Sequence, residues 1–191
     1  SANSINWGRL VPQIVYYVST YCDLLNAGED LTKGFDVVVP TGNFGNILAA
    51  YYAKCMGVPV NRLVCASNIN NILTDFINTG VYDRRRVFHK TISPSMDILI
   101  SSNLERLLYF VSKDTELVAK LMKQLNTEGF YTVPDELKAQ MDEEFWAGFC
   151  GDDKAKATIA KVFKEQGYLC DTHTATGWAV AEDYVNSTGD N

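Results

Sequence analysis

A chain of 191 residues has room for one ordinary domain with its own core, and 47% hydrophobic against 21% charged residues excludes a disordered polymer. The formal net charge of −6 argues against a nucleic-acid partner, because phosphate backbones select clustered Lys and Arg. No apolar run reaches the length of a membrane span and no basic-then-apolar leader opens the chain, so no membrane partner and a cytoplasmic setting are expected.

The spacing from Arg9 to Asn26 predicts an amphipathic helix, with Leu10, Val11, Ile14, Val15, Val18, Cys22 and Leu25 on one stripe and Gly28 as the stop. Phe35 to Val39 is β-branched without polar alternation after Asp36, which predicts a strand buried on both faces. A loop over Pro40 to Asn46 then leads into a helix from Ile47 to Met56, closed by Gly57. Arg62 to Ala66 predicts a second buried strand, and Ile69 to Thr79 a helix closed by Gly80. This alternation predicts an α/β fold, a parallel sheet with helical crossovers.

The second half reads as mostly helical. Ser102 and Glu105 have capping-box spacing, and Asp114 and Asp152 are predicted caps of the helices that follow them. Tyr168 to Cys170 reads as a strand, and Ala175 to Asn186 as a helix. With no internal repeat, residues 1–191 are expected to form a single domain; both ends read as cut from a longer protein. The five cysteines are scattered and never spaced Cys-x-x-Cys, which fits free thiols in a reducing compartment. His89 and His173 stand far apart, so no zinc site is expected. The run Arg84-Arg85-Arg86 beside Asp83 is either a solvated turn or a docking point for an acidic surface or phosphorylated ligand.

Three clusters carry chemistry. Gly42-Asn43-Phe44-Gly45-Asn46 lies between a predicted strand and a predicted helix. Helix N-termini leave N–H groups unpaired and partly positive, and glycine lets backbone approach a phosphate without a Cβ intruding. The loop has no Lys or Arg, so its amides would do the holding, and it matches neither the Walker pattern nor the dinucleotide fingerprint. A glycine turn serving only strand-to-helix geometry accounts for it equally well. Asp171-Thr172-His173-Thr174-Ala175 again sits where a predicted strand meets a helix: Thr174 is either an N-cap or a hydroxyl at the ligand edge of the sheet. Asn3-Ser4-Ile5-Asn6-Trp7-Gly8-Arg9 gathers donors before the first helix, for capping or for an anion.

Read together, these segments resemble threonine synthases. The resemblance rests on Asn3 to Leu10, Val39 to Asn46, Ser93 to Ile98 and Ser101 to Leu108, in the family's order, and runs on to the helix after Thr174. It is strongest to the bacterial and fungal branch. It implies the type II fold of pyridoxal-phosphate enzymes and most of that fold's larger domain. By that resemblance Gly42, Asn43, Phe44, Gly45 and Asn46 hold the cofactor phosphate, Thr174 meets the pyridine nitrogen, and Asn3 and Arg9 hold the substrate's phosphate.

The implied reaction converts O-phosphohomoserine and water to threonine and phosphate. A hydroxyl facing the ring nitrogen implies a milder electron sink than a carboxylate would give. The family usually has proline where this chain has Thr172. The family's Schiff-base lysine matches no lysine here: Lys33, Lys54 and Lys90 read as surface residues, and the lysine is expected upstream of Ser1. This chain by itself is therefore expected to form no threonine. Two alternatives stay open: a serine or threonine dehydratase of the same fold, which has no use for Asn3 and Arg9 at a substrate phosphate, and a non-catalytic module binding a phosphorylated metabolite.

Overall fold

A computed structural model describes residues 3–189. In chain order these form α1 (Trp7–Leu10), α2 (Ile14–Asn26), β1 (Phe35–Pro40), α3 (Gly45–Cys55), β2 (Val60–Ser67), α4 (Ile72–Thr79) and β3 (Val81–Asp83). Then follow α5 (Leu104–Ser112), α6 (Thr115–Glu128), β4 (Phe130–Thr132), α7 (Asp135–Glu144), β5 (Phe145–Phe149), α8 (Asp152–Gln166) and α9 (Thr172–Thr188). β1, β2 and β5 pair parallel with β2 in the middle, so Val39 stands beside Cys65 and Cys65 beside Ala147.

Alternation along β2 builds the layers. Leu63 and Cys65 enter the core formed with α3, α4, α5 and α7, while Val64 and Ala66 enter a second core formed with α8 and α9. A strand with a core on each face cannot alternate polar and apolar residues, which explains the continuous apolar run. The expectation of two-sided burial holds for β2 but not for β1, where only Val39 is buried: β1 is an outer strand among the described residues. Helix α9 lies close on the sheet because Gly177 permits it; a Cβ there would stand 2.9 Å from Pro40 Cγ.

Several expected elements differ. The first helix is interrupted by a 3-10 turn at Val11–Gln13, where Pro12 cannot donate to the preceding turn. Its predicted stripe faces the core only in part: Leu10 is buried and Ile14 packs against the core, but Val15 is 62% exposed, and within α2 it is Tyr17 that is buried. β5 and the antiparallel pair β3–β4 were absent from the expected order. Tyr168 to Cys170 joins no sheet among the described residues and is a connector. Asp114 does cap α6, accepting from Glu116 and Leu117 N–H at 2.9 Å each. Asp152 instead follows the cap Gly151, and its carboxylate accepts Ile92 N–H at 3.3 Å.

The long connection from β3 to α5 is pinned to the carboxyl end of β2 by Asp97. Its Oδ1 accepts from Asn68 Nδ2 (2.8 Å), Asn70 Nδ2 (2.9 Å) and Thr91 Oγ1 (2.8 Å), and its Oδ2 accepts Thr91 N–H (3.0 Å). Arg85 and Arg86 in the basic run are committed to Asp83 and Asp75 respectively. Among the described residues no helix is long and apolar enough to cross a membrane, and no cluster of metal-ligating side chains occurs.

Leu63 is fully buried at the centre of β2. Leu63→Ala is expected to lower the unfolding free energy by about 2–5 kcal/mol, read as a lower denaturant midpoint with an unchanged slope.

Candidate functional site

The loop from β1 into α3 sets Gly42 to Asn46 at the carboxyl edge of the sheet, the side on which open α/β folds receive ligands. Among the described residues no backbone N–H from Gly42 to Ile47 donates a hydrogen bond. The carbonyls of the same loop are tied down. The Ser101 hydroxyl donates to Gly42 O at 2.8 Å, and Asn103 donates to Asn43 O through its N–H (3.1 Å) and its Nδ2 (2.9 Å). Acceptors are thus satisfied from behind while donors stay available in front, and no acidic side chain stands in the first turn of α3 to neutralise them.

The turn itself is made by Phe44, whose φ of 62° is left-handed. A bulky residue in that region costs on the order of 1–3 kcal/mol and persists only where the surroundings impose it. Here they do: the Phe44 ring is buried, its centroid 5.8 Å from that of Phe145. Neither glycine has a positive φ, and Gly42 serves closeness instead. A Cβ on Gly42 would stand 2.6 Å from Ser95 O, and one on Gly45 3.4 Å from Asn103 Nδ2.

The Asn46 side chain is already engaged. It accepts from Tyr17 OH at 2.7 Å and donates to Gln13 at 2.9 Å, so what it leaves for a ligand is its N–H. Burial pushes the Tyr17 hydroxyl far above its usual range, which keeps it a donor. Asn43 Oδ1 accepts from Ser102 Oγ at 3.2 Å, and Ser102 therefore braces the loop instead of forming the expected capping box with Glu105; Asn103 holds the cap position of α5 and makes no side-chain cap bond.

Arg9 and Ser4 share a cleft of about 270 Å³ with this loop and with Ser95. Asn3 is exposed outside the cleft lining, and its carbonyl accepts Asn6 N–H at 3.2 Å. The structure thus brings Arg9 to the glycine-loop cleft, while Asn3 is not among the residues that line it. A larger cavity of about 900 Å³ opens at the opposite, amino ends of β1 and β2. Lys33 and Lys54 line that cavity, and neither they nor the exposed Lys90 line the glycine-loop cleft.

The second cluster is rebuilt by the structure. Asp171, not Thr174, caps α9, accepting His173 N–H at 2.8 Å and Thr174 N–H at 3.1 Å. The Thr174 hydroxyl donates to the other carboxylate oxygen at 2.6 Å. That hydroxyl, followed by the two N–H groups, holds the Asp171 carboxyl down at about 2. His173 Nε2 accepts Ser95 N–H at 3.1 Å, and Ser95 O lies against Gly42. A single peptide strip therefore links the start of α9 to the wall of the glycine-loop cleft. Thr172 occupies the first position of α9, where proline is at home, so its presence in place of proline leaves the cap geometry intact.

The residues that sequence reasoning missed are Ser101, Asn103, Ser95, Tyr17 and His173. Two signals were present: a Ser-Ser-Asn run ahead of a helix, spent on capping, and a tyrosine off the predicted stripe.

No protein-family model matches the chain. Threonine synthase-like 1 of Macaca fascicularis is 47% identical over 191 residues, covering 98% of this chain and 26% of that protein. The solved structure of pyridoxal-phosphate-bound threonine synthase from Brucella melitensis superposes with a TM-score of 0.88 at 42% identity, over 95% of this chain and 38% of that one. Yeast threonine synthase superposes with a TM-score of 0.91 at 35% identity, over 99% of this chain and 39% of that one. Sequence and fold together match this chain, over nearly its whole length, to one part of the threonine synthases. Its architecture is the type II fold, and it spans between about a quarter and two-fifths of the length of these relatives.

Two outcomes follow from the site geometry. Asn103→Ala removes the side-chain bonds to Asn43 O, Ser4 O and Arg106 Nε and leaves Asn43 O with the Asn103 N–H alone, so a loss of about 1–3 kcal/mol is expected in denaturant unfolding. Thr172→Pro is expected to gain about 0.4–1 kcal/mol by restricting the unfolded chain, because no N–H bond of Thr172 is lost; a lowered thermal midpoint would contradict the placement of Thr172 at the helix start.

Proposed function

We propose that residues 1–191 act as one α/β domain that grips the phosphate of pyridoxal phosphate and the phosphate of a small substrate within a threonine synthase. The observation that carries the reading is the row of undonated N–H groups from Gly42 to Ile47 at the positive end of α3, fixed by carbonyls that are already bonded. The residues present fit a phosphate: the loop amides have no hydrogen-bond partner of their own among the described residues and would supply charge-assisted bonds to an anion.

In this reading Gly42, Asn43, Phe44, Gly45 and Asn46 hold the cofactor phosphate through the backbone, and Thr174 meets the ring nitrogen. Arg9, on the same cleft, holds the phosphate of O-phosphohomoserine, and Asn3 assists it. A guanidinium presents two parallel donors to a phosphate and steadies the charge that builds on it as it leaves. Pyridoxal phosphate, when bound, supplies the electron sink for the carbon chemistry; the protein orients the substrate and exchanges its phosphate for water at the neighbouring carbon. The cofactor and the substrate class are supported by the solved relative that holds pyridoxal phosphate and by the name its family carries.

A second reading has one observation in its favour: the identity is higher to a protein named threonine synthase-like 1 than to the solved threonine synthases. It is a domain that binds the phosphorylated cofactor without making threonine.

The test is an assay of the intact protein for threonine and inorganic phosphate from O-phosphohomoserine. Equal amounts of both products are expected. Arg9→Ala is expected to raise KM by about 10- to 100-fold, the equivalent of one charged hydrogen-bonding group, and Gly45→Asp is expected to abolish cofactor binding. Cofactor binding without either product would favour the second reading, and no cofactor binding at all would overturn both.

A further inference from the structure

The segment that carries Arg9 is too short to hold itself. Helix α1 has four residues, and a single helical turn is unstable in water without outside contacts. We infer that Arg106 is a positioning residue for the substrate's phosphate: from α5 it fixes the chain that enters α1, and so sets where Arg9 stands relative to the glycine loop. This rests on the reading that Arg9 holds that phosphate.

Arg106 Nη2 donates to Ile5 O at 2.7 Å, and its Nε donates to Asn103 Oδ1 at 3.2 Å. Its guanidinium carbon lies 5.5 Å from the centroid of the Trp7 ring. Nε–H and Nη2–H share one edge of a rigid planar fork, so the two bonds fix Ile5 O and Asn103 Oδ1 relative to each other. They also fix which end of the Asn103 amide faces the loop, because the oxygen is held by the guanidinium. The nitrogen end then donates to Ser4 O at 3.1 Å and to Asn43 O at 2.9 Å. One amide nitrogen thus spans the Arg9 segment and the glycine loop.

Beyond Arg9 a second bridge closes the frame. Gln13 Nε2 donates to Arg9 O at 2.7 Å, and Gln13 Oε1 accepts from Asn46 Nδ2 at 2.9 Å. The stretch from Ser4 to Gln13 therefore meets the glycine loop at Asn43 on one side and at Asn46 on the other, with Arg9 between them on the cleft. Arg106 does not line that cleft; it lines a neighbouring groove with Trp7 and Tyr52. Its influence on a bound phosphate runs through the backbone that carries Arg9, and small displacements of a substrate clamp are strongly felt.

The experiment uses the full-length protein loaded with pyridoxal phosphate, whose own phosphate fills the glycine loop. It reads the KM for O-phosphohomoserine and, with no turnover needed, the affinity for inorganic phosphate followed by phosphorus NMR. Arg106→Met keeps an apolar stem on Trp7 and loses the donors, whereas Arg106→Lys keeps the charge without the fork. Arg106→Met is expected to raise KM and the phosphate Kd by about 5- to 10-fold, less than Arg9→Ala does, with kcat and cofactor content near wild type. Arg106→Lys is expected to recover part of the loss. In an Arg9→Ala background neither variant is expected to weaken phosphate further, because the group it misplaces is gone. A merely structural role would act equally in both backgrounds. If Arg9→Ala weakens phosphate while both Arg106 variants leave it unchanged, or if the losses add in the double variants, the role of Arg106 is overturned and the reading of Arg9 stands. If Arg9→Ala moves neither quantity, or no cofactor is retained, that reading fails and this inference fails with it. Should Arg106→Met not fold, the Arg106→Lys variant in the two backgrounds decides by the same criteria.

Discussion

The carbonyl oxygens of Gly42 and Asn43 are bonded before any ligand arrives, and the rest of the site depends on that. A backbone loop has as many acceptors as donors, and a loop free to turn can offer either. Here Ser101 and Asn103 occupy the acceptors, so the donors face the cleft. The bracing residues come from the start of α5, 59 positions along the chain from the loop. Their own placement depends on the Asp97 hub, which pins the preceding connection to the end of β2. The grip on an anion is thus a property of the folded sheet and its long crossover, not of the glycine loop alone.

Strain accompanies this arrangement. Phe44 is left-handed without being glycine, and its ring is locked between the core and Phe145. Packing a large ring offsets the backbone cost and fixes the loop in one shape. Preorganisation of this kind matters for a phosphate held by amides: each amide contributes modestly, and a loop that had to order on binding would lose much of the gain. The start of α9 is fixed by similar means, since Asp171 and His173 hold Thr174 and Ser95 in a continuous line to Gly42.

Much of this was legible in the sequence. The strand-loop-helix order around Gly42 to Asn46 follows from an apolar run, two glycines and a helical pattern, and the parallel sheet follows from its repetition. The donor-rich segments announced themselves by composition. What stayed hidden was long-range or short. β3 and β4 have three residues each, too little for any period to show, and they pair across the long stretch from Asp83 to Phe130. β5 is an apolar run of five following an acidic helix, a length at which strand and helix look alike. Ser102 carried a capping-box pattern that the fold spent on Asn43, and Thr174 looked like a cap because Asp171, three residues earlier, was not weighed as one.

The central claim is that the amides from Gly42 to Ile47 receive a phosphate, and following those amides by NMR while pyridoxal phosphate is added tests it most directly. The account predicts saturable shifts concentrated on Gly42 to Ile47, with a matching change in the phosphorus resonance of the ligand. Saturable shifts at the opposite cavity around Lys33 and Lys54, with the glycine loop unmoved, would contradict it.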